Sequence, residues 1–415
     1  MITRTLKFWG FKSHPFEEAV LEGDTLTLLV NRTDERDDLE DALHNRITGV
    51  YGSLGVGKSS FLSWFTSDPP VKNLTVVLVR LPSESADNLY REMLAEVLDS
   101  INKGKLKLKG KFDLNCKNEL LRLEGTIAHS RTYEVGVSSV IKGGTTVETS
   151  KGLTQHTEVS SRRLLANIIR NATEPFVIIL DDFHNIELSK ANNNSGYLPL
   201  LGRLLTTIGQ HFNNRNVSFV ITLDDEIEKH INKARSASKG AFSFAIGDFV
   251  KVDPLNIKDL LLLISVRLQD NGWKKGVKNF ISHEAYYALA LCSDGHPRRA
   301  LRVLRNAMHI VAKEKSANTN MYIELMHLEK AAKKSGESID EIEFAIINYI
   351  INNGPTSASD EKLIKAIGIL RASLRLRLEK LKERMNLIVE RKRVGGTIQV
   401  LYSVPNLDQL EHRSI

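Results

Sequence analysis

The strongest constraint on this chain is the eight-residue stretch Gly52-Ser53-Leu54-Gly55-Val56-Gly57-Lys58-Ser59. An apolar run, Ile47–Tyr51, precedes it, and a helical pattern begins with Ser60 to Phe65. Glycines at this spacing let backbone N–H groups turn inward around an anion, and the helix that follows points its positive end at the same place. Lys58 can then neutralise the β- and γ-phosphates of a nucleoside triphosphate, while the Ser59 hydroxyl ligates Mg²⁺. The expected cradle is Gly52, Gly55, Val56, Gly57, Lys58, Ser59 and Ser60.

Such a loop needs a parallel sheet behind it. Leu74–Leu81, Phe176–Leu180, Ser218–Leu223 and Phe249–Val252 are short continuous apolar runs, separated by stretches of helical periodicity such as Ala86–Ile101. Strands of this kind belong to a sheet covered on both faces, so the expected class is α/β. Phe176–Leu180 ends in Asp181 and Asp182. Asp181 is placed to hold Mg²⁺ through water beside the loop, and Asp182 stands where a glutamate often orients the attacking water. A carboxylate one methylene shorter predicts slow turnover. Residues 103–152 break the rhythm with alternating lysines and a Gly/Thr/Ser-rich tract, and read as an insertion that is partly β-hairpin. From Asn256 to Lys315 the pattern is helical, and a polar hinge begins at Ser335. The expected domains are therefore 1–253, 254–334 and 335–415.

Length and composition suit a soluble globular protein of two or three domains: 415 residues, 42% hydrophobic and 26% charged. No apolar run is long enough for a membrane helix. Two cysteines, Cys116 and Cys292, make neither a disulfide framework nor a zinc cluster, so a reducing, cytoplasmic setting is expected. Charge is unevenly spread. Glu17 to Asp41 holds ten acids against Arg32 and Arg36, whereas Arg371 to Arg393 holds nine bases against three acids. An anionic partner near the C-terminus follows from that asymmetry.

Together these motifs resemble the AAA+ superfamily and its STAND-type relatives, most closely the origin-recognition-type and archaeal-type ATPases, over about residues 8–405. The lead-in GFKSHPFEE and LVNRTDERDDLEDAL is similar to the segment that lies against adenine in that family, which implies ATP. Thr222 stands at the family's sensor 1 position. Gly295-His296-Pro297-Arg298-Arg299 resembles its sensor 2 signature, which implies that Arg298 on a helical lid reads the γ-phosphate. Arg235 lies roughly where an arginine finger acting in trans is found. The resemblance implies an AAA+-type P-loop sheet with a helical lid. It departs from the family at Asp181–Asp182, where hydrolysing relatives carry Asp-Glu, and at residues 103–152, which have no counterpart in origin-binding proteins.

Residues 339–404 resemble a winged helix. Three helical segments end in LRASLRLRLEKLKERMN, with Leu370, Leu374, Leu378, Leu381 and Met385 spaced on one face. Arg371, Arg375 and Lys382 lie on the other face, and a two-stranded wing follows with Arg391, Lys392 and Arg393 at its base. A basic helix and wing suit duplex DNA. The expected function is an ATP-gated switch that self-associates and binds DNA. Two alternatives stay open, a STAND-type signalling or defence ATPase holding a protein partner and a target-selecting ATPase of a mobile element, while a plain metabolic P-loop kinase is disfavoured. The last lacks a readable acceptor pocket.

Overall fold

The computed structural model describes residues 2–81, 89–108, 146–183, 197–212, 214–236, 245–314, 321–394 and 397–411. The chain opens with α1 (Ile2–Trp9), followed by α2 (Thr33–Ala42), β1 (Ile47–Tyr51), α3 (Lys58–Ser67), β2 (Thr75–Arg80) and α4 (Leu89–Asn102). Next come α5 (Thr146–Asn171), β3 (Phe176–Asp181), α6 (Tyr197–His211), β4 (Val217–Thr222), α7 (Asp225–Ser236) and β5 (Asp248–Lys251). The helices α8 (Ile257–Asp270), α9 (His283–Ser293), α10 (Pro297–Glu314) and α11 (Leu325–Ser335) follow. The chain ends with α12 (Glu341–Asn353), α13 (Glu361–Ile367), α14 (Arg371–Arg384), the hairpin β6 (Ile388–Val394) and β7 (Thr397–Ser403), and α15 (Leu407–Glu411). Among the described residues no helix is long and apolar enough to cross a membrane.

The fold is α/β, and the chain divides into two compact units. One comprises Arg32–Ser53 and Lys58–Val252 and carries a five-stranded sheet in the order β2-β3-β4-β1-β5, with every pairing parallel. β3 lies between β2 and β4 and is buried at all six positions, which is why its sequence is a continuous apolar run rather than an alternating one. Gly49 in β1 has a steric reason: a Cβ there would lie 2.8 Å from the Phe249 ring of β5. Of the expected insertion, residues 109–145 lie outside the described residues, as does Cys116. The chain is already helical from Thr146.

The other unit comprises Met1–Asn31, Leu54–Gly57 and Asp253–Ile415. Residues 1–31, expected beside the sheet, cluster here for an aromatic reason. Trp9 packs on Phe280 and Trp273, Phe11 on Trp273, and Phe16 on Phe280, with ring centroids 5.0–6.4 Å apart. The Trp9 indole N–H donates to the Met308 carbonyl at 3.1 Å, and Glu18 pairs with Arg302 and Arg305 of α10. Such rings contribute buried area and about 0.5–1.5 kcal/mol per contact beyond it. The helices are capped by local chemistry: Asn256, Ser282, Asp340 and Asp360 each accept backbone N–H groups of the first turn.

The last three long helices and the hairpin sit on the α8–α11 bundle within this unit. Tyr287 of α9 donates to the Pro405 carbonyl at 2.9 Å, and Arg384 donates to the Leu291 carbonyl at 2.8 Å. Leu374, Leu378, Leu381 and Met385 are buried as their spacing predicts. Leu370 is not: it is 80% exposed. It occupies the extended N-cap of α14, one residue before the helical turn that would carry it to the packed face.

Candidate nucleotide site

The glycine loop leaves β1 with Gly52, Gly55 and Gly57 at φ of 152°, 84° and 107°, backbone that side chains rarely adopt. α3 then begins at Lys58. The Lys58 side chain is buried, and its ammonium donates to the carbonyls of Gly52 at 2.6 Å and Ser53 at 3.3 Å. Burial lowers its pKa, against the charges of Asp225, Asp181, Asp224 and Asp182, which favour the ammonium. A buried ammonium held by carbonyls within a carboxylate field is a candidate contact for an anion.

Asp181 ends β3 and has no solvent exposure. One carboxylate oxygen accepts the Asp182 N–H at 2.9 Å. The other, Oδ2, has no hydrogen-bond partner among the described residues. Burial raises the carboxyl pKa and the Asp182 charge adds to the rise; the nearby Ser59 hydroxyl, the Asp182 N–H and Arg80 oppose it. A buried oxygen without a donor, beside a serine hydroxyl, fits a hydrated magnesium ion, which would be held by Ser59 and Asp181. Magnesium keeps several waters and takes its other ligands from phosphates, so it needs no protein cage. Among the described residues no group of three or more His, Cys, Asp or Glu forms such a cage.

Asp182 follows with φ 58°, a left-handed conformation that turns the chain sharply at the strand end. Thr222 lies at the end of β4 as expected, but its side chain is fully buried and its hydroxyl donates to the Leu180 carbonyl at 3.3 Å. It ties β4 to β3. Arg235 falls on the last turn of α7, and its side chain lies outside the described residues. Arg298 is exposed near the start of α10. Its backbone N–H donates to the Gly55 carbonyl at 3.4 Å, and a Cβ on Gly55 would lie 3.1 Å from Arg298 Cβ. Ser60 and Val56 complete the loop without exceptional geometry.

Two further residues near Lys58 belong to no recognised motif. Asp224 and Asp225 follow β4 as a second Leu-Asp-Asp triplet, 223–225, echoing 180–182. That repetition at two strand ends was the available signal.

The basic residues of the C-terminal module divide into two groups. Arg371 and Arg375 of α14 and Arg391, Lys392 and Arg393 of β6 are exposed. Lys382 lies 3.5 Å from Glu379, which also accepts the Tyr402 hydroxyl. Arg377, Lys380 and Arg384 instead face α12, with Lys380 and Arg384 at 2.8 and 2.7 Å from the buried Glu343.

A parallel sheet feeding this loop, with a buried lysine and a strand-end aspartate, defines a P-loop NTPase, a nucleotide-binding class. Residues 42–252, just over half of the chain, match the KAP family P-loop domain, and the protein belongs to that family. No curated protein matches the sequence. Among solved structures it is similar to the Aeropyrum pernix ORC1 protein in complex with DNA, at 14% identity and TM-score 0.41, with 96% of this chain and 95% of that one covered. It is also similar to the Aeropyrum pernix ORC2 protein in ADPNP–ADP complexes, at 16% identity and TM-score 0.40, with 97% of each chain covered. A Walker-type ATPase of Pyrococcus abyssi gives 15% identity and TM-score 0.40, with 97% of this chain and 100% of that one covered.

Proposed function

We propose that the protein is an ATP-binding, slowly hydrolysing switch that couples nucleotide state to self-association and to binding of duplex DNA. One connected set of contacts within the helical unit carries the reading. At one end Arg298 touches the loop residue Gly55 through its backbone N–H. Just before it, Asp294 and Gly295 are both left-handed, and the Gly295 carbonyl accepts the Leu255 N–H at 2.8 Å. A Cβ on Gly295 would lie 2.2 Å from the Leu255 carbonyl oxygen, so this turn needs glycine. At the other end Asp294 Oδ1 lies 2.7 Å from Arg384 Nε, an ionic contact without hydrogen-bond alignment. Arg384 also holds Glu343 and the Leu291 carbonyl. The turn that carries Arg298 is thus continuous with the end of the basic helix, and a shift at one end loads the other.

In this reading Lys58 and the loop N–H groups hold the phosphates, and Ser59 and Asp181 hold magnesium. A bound magnesium ion would supply positive charge to the phosphates there. Arg298 reports the γ-phosphate. Position 182 lacks the longer glutamate, which supports slow turnover. Residues 339–404 act as a winged helix, with Arg371, Arg375, Arg391, Lys392 and Arg393 meeting DNA phosphates. The acidic face of α2, with Asp34, Asp37, Asp38 and Asp41 exposed, supports self-association with the basic module of a second copy. In this reading the sheet unit carries the nucleotide, residues 254–334 act as the lid and residues 335–415 as the winged-helix module.

A second reading has its own observation. Leu370, Leu376 and Ile398 are 80%, 73% and 66% exposed amid the basic residues, which favours a protein partner with apolar and acidic groups, as in a STAND-type signalling ATPase. Light scattering of the full chain with ATP or ADP, with and without duplex DNA, separates these. The switch predicts ATP-dependent assembly changed by DNA. A monomer under all four conditions, with no DNA retained, contradicts it.

A further inference from the structure

The nucleotide site holds a second pair of aspartates beside the pair that its motif supplies. β4 lies between β1, which feeds the glycine loop, and β3, which ends in Asp181. The residue after β4, Leu223, donates its N–H to the Val50 carbonyl of β1 at 2.8 Å, so the strand end stays level with the loop. Three polar residues flank Leu223 there: Thr222, Asp224 and Asp225. The Thr222 hydroxyl is committed to the Leu180 carbonyl. The Asp224 carboxylate caps α7 by accepting the Ile227 N–H at 2.8 Å. Asp225, the first residue of α7, is half-buried, and its carboxylate has no hydrogen-bond or ion-pair partner among the described residues.

Resting on the reading of this site as a hydrolytic P-loop centre, we propose that Asp225 is the catalytic carboxylate that orients and deprotonates the attacking water. The Asp225 charge, with those of Asp181, Asp224 and Asp182, favours the Lys58 ammonium, so its carboxylate lies within the field of the nucleotide site. A carboxylate facing the γ-phosphate repels it, so its useful partner is water, which it can order and from which it can take a proton. In the step, the water oxygen forms a bond to the γ-phosphorus as the bond from that phosphorus to the β–γ bridging oxygen breaks. The bond's electron pair leaves with ADP, and the water proton passes to Asp225 and then to solvent. Asp182 is left as the residue whose N–H fixes Asp181, the task its left-handed backbone serves. Asp224 is a positioning residue that holds the start of α7.

The test uses the full chain with ATP and magnesium. It reads kcat by phosphate release, affinity by a fluorescent ATP analogue, folding by thermal melt, and the pH–rate profile. D225N is expected to lose about 10²-fold or more in kcat, with ATP affinity kept and the acid limb of the profile gone. D182N is expected to lose less than about 10-fold and to keep that limb. D225E, which retains the base, should recover part of the rate. A D225N enzyme within about 3-fold of wild type, or a D182N enzyme that alone loses the acid limb, overturns the assignment while the hydrolytic reading stands. A wild-type chain that binds the analogue but releases no phosphate overturns both.

Discussion

Lys58 and the bases of α14 are the same kind of group in opposite surroundings. Lys58 is buried, held by carbonyls and set among four aspartates, so a motif and its geometry assign it one task. On α14 the six bases mislead as a count, because a basic helix mixes two populations. Arg377, Lys380 and Arg384 hold the buried acid Glu343, whereas Arg371 and Arg375 are exposed. A desolvated charge without a counter-charge in direct contact marks a site. An exposed charge marks one only after internal ion pairs are subtracted.

The contrast can be broken at several points. Lys58→Ala should cost about 100-fold in nucleotide affinity, the scale of a lost charged contact, while the thermal midpoint holds or rises because a buried cation is gone. Titration with a fluorescent nucleotide and a melt check both parts. In filter binding across salt, the double change Arg371→Ala and Arg375→Ala should lower the log–log slope by about 2, and alanine at Arg391, Lys392 and Arg393 by about 3. Arg377→Ala with Lys380→Ala should leave that slope unchanged, since those charges are spent internally. An equal fall in slope for both pairs would erase the distinction. Glu343→Gln should destabilise the chain by about 1–3 kcal/mol in denaturant unfolding, with nucleotide affinity unaltered.

A pH-dependent effect is expected in the N-terminal aromatic cluster. Burial lowers the His14 pKa from 6.5 to about 4, and the charges of His309 and Arg305 add to the shift. The unfolded chain then binds the extra proton first, so stability is full above about pH 6.5 and declines as pH falls toward about 4. Melts across that window should flatten in His14→Gln. A wild-type midpoint that does not change there would contradict the assignment.

Much of the site was legible because its chemistry is local. The order glycine loop, Lys58, Ser59 needs only a strand before and a helix after, and Ile47–Tyr51 and Lys58–Ser67 supply them. The five strands were legible from apolar runs, since burial on both faces removes alternation. What escaped depends on side-chain direction and on distant partners. Thr222 is legible as a polar strand end, but that its hydroxyl donates to the Leu180 carbonyl depends on the neighbouring strand. Helical spacing put Leu370 on the core face, yet the helix starts one residue later. The grouping of residues 1–31 with the helical unit rests on Trp273, Phe280 and Met308, more than 250 residues away, which no local pattern encodes. The KAP family was not read from the motifs, because a glycine loop and a strand-end aspartate are common to many P-loop proteins.

The central claim is that the state of the nucleotide is felt at the basic helix through the turn bearing Arg298. The most direct measurement is the duplex DNA affinity of the full chain with ADP and with a non-hydrolysable ATP analogue, for wild type and Arg298→Ala. At least about a 10-fold difference between the two nucleotides is expected in wild type, a coupling of about 1.4 kcal/mol, with its loss in Arg298→Ala while analogue binding is retained. Equal DNA affinity in both nucleotide states of the wild-type chain would contradict it.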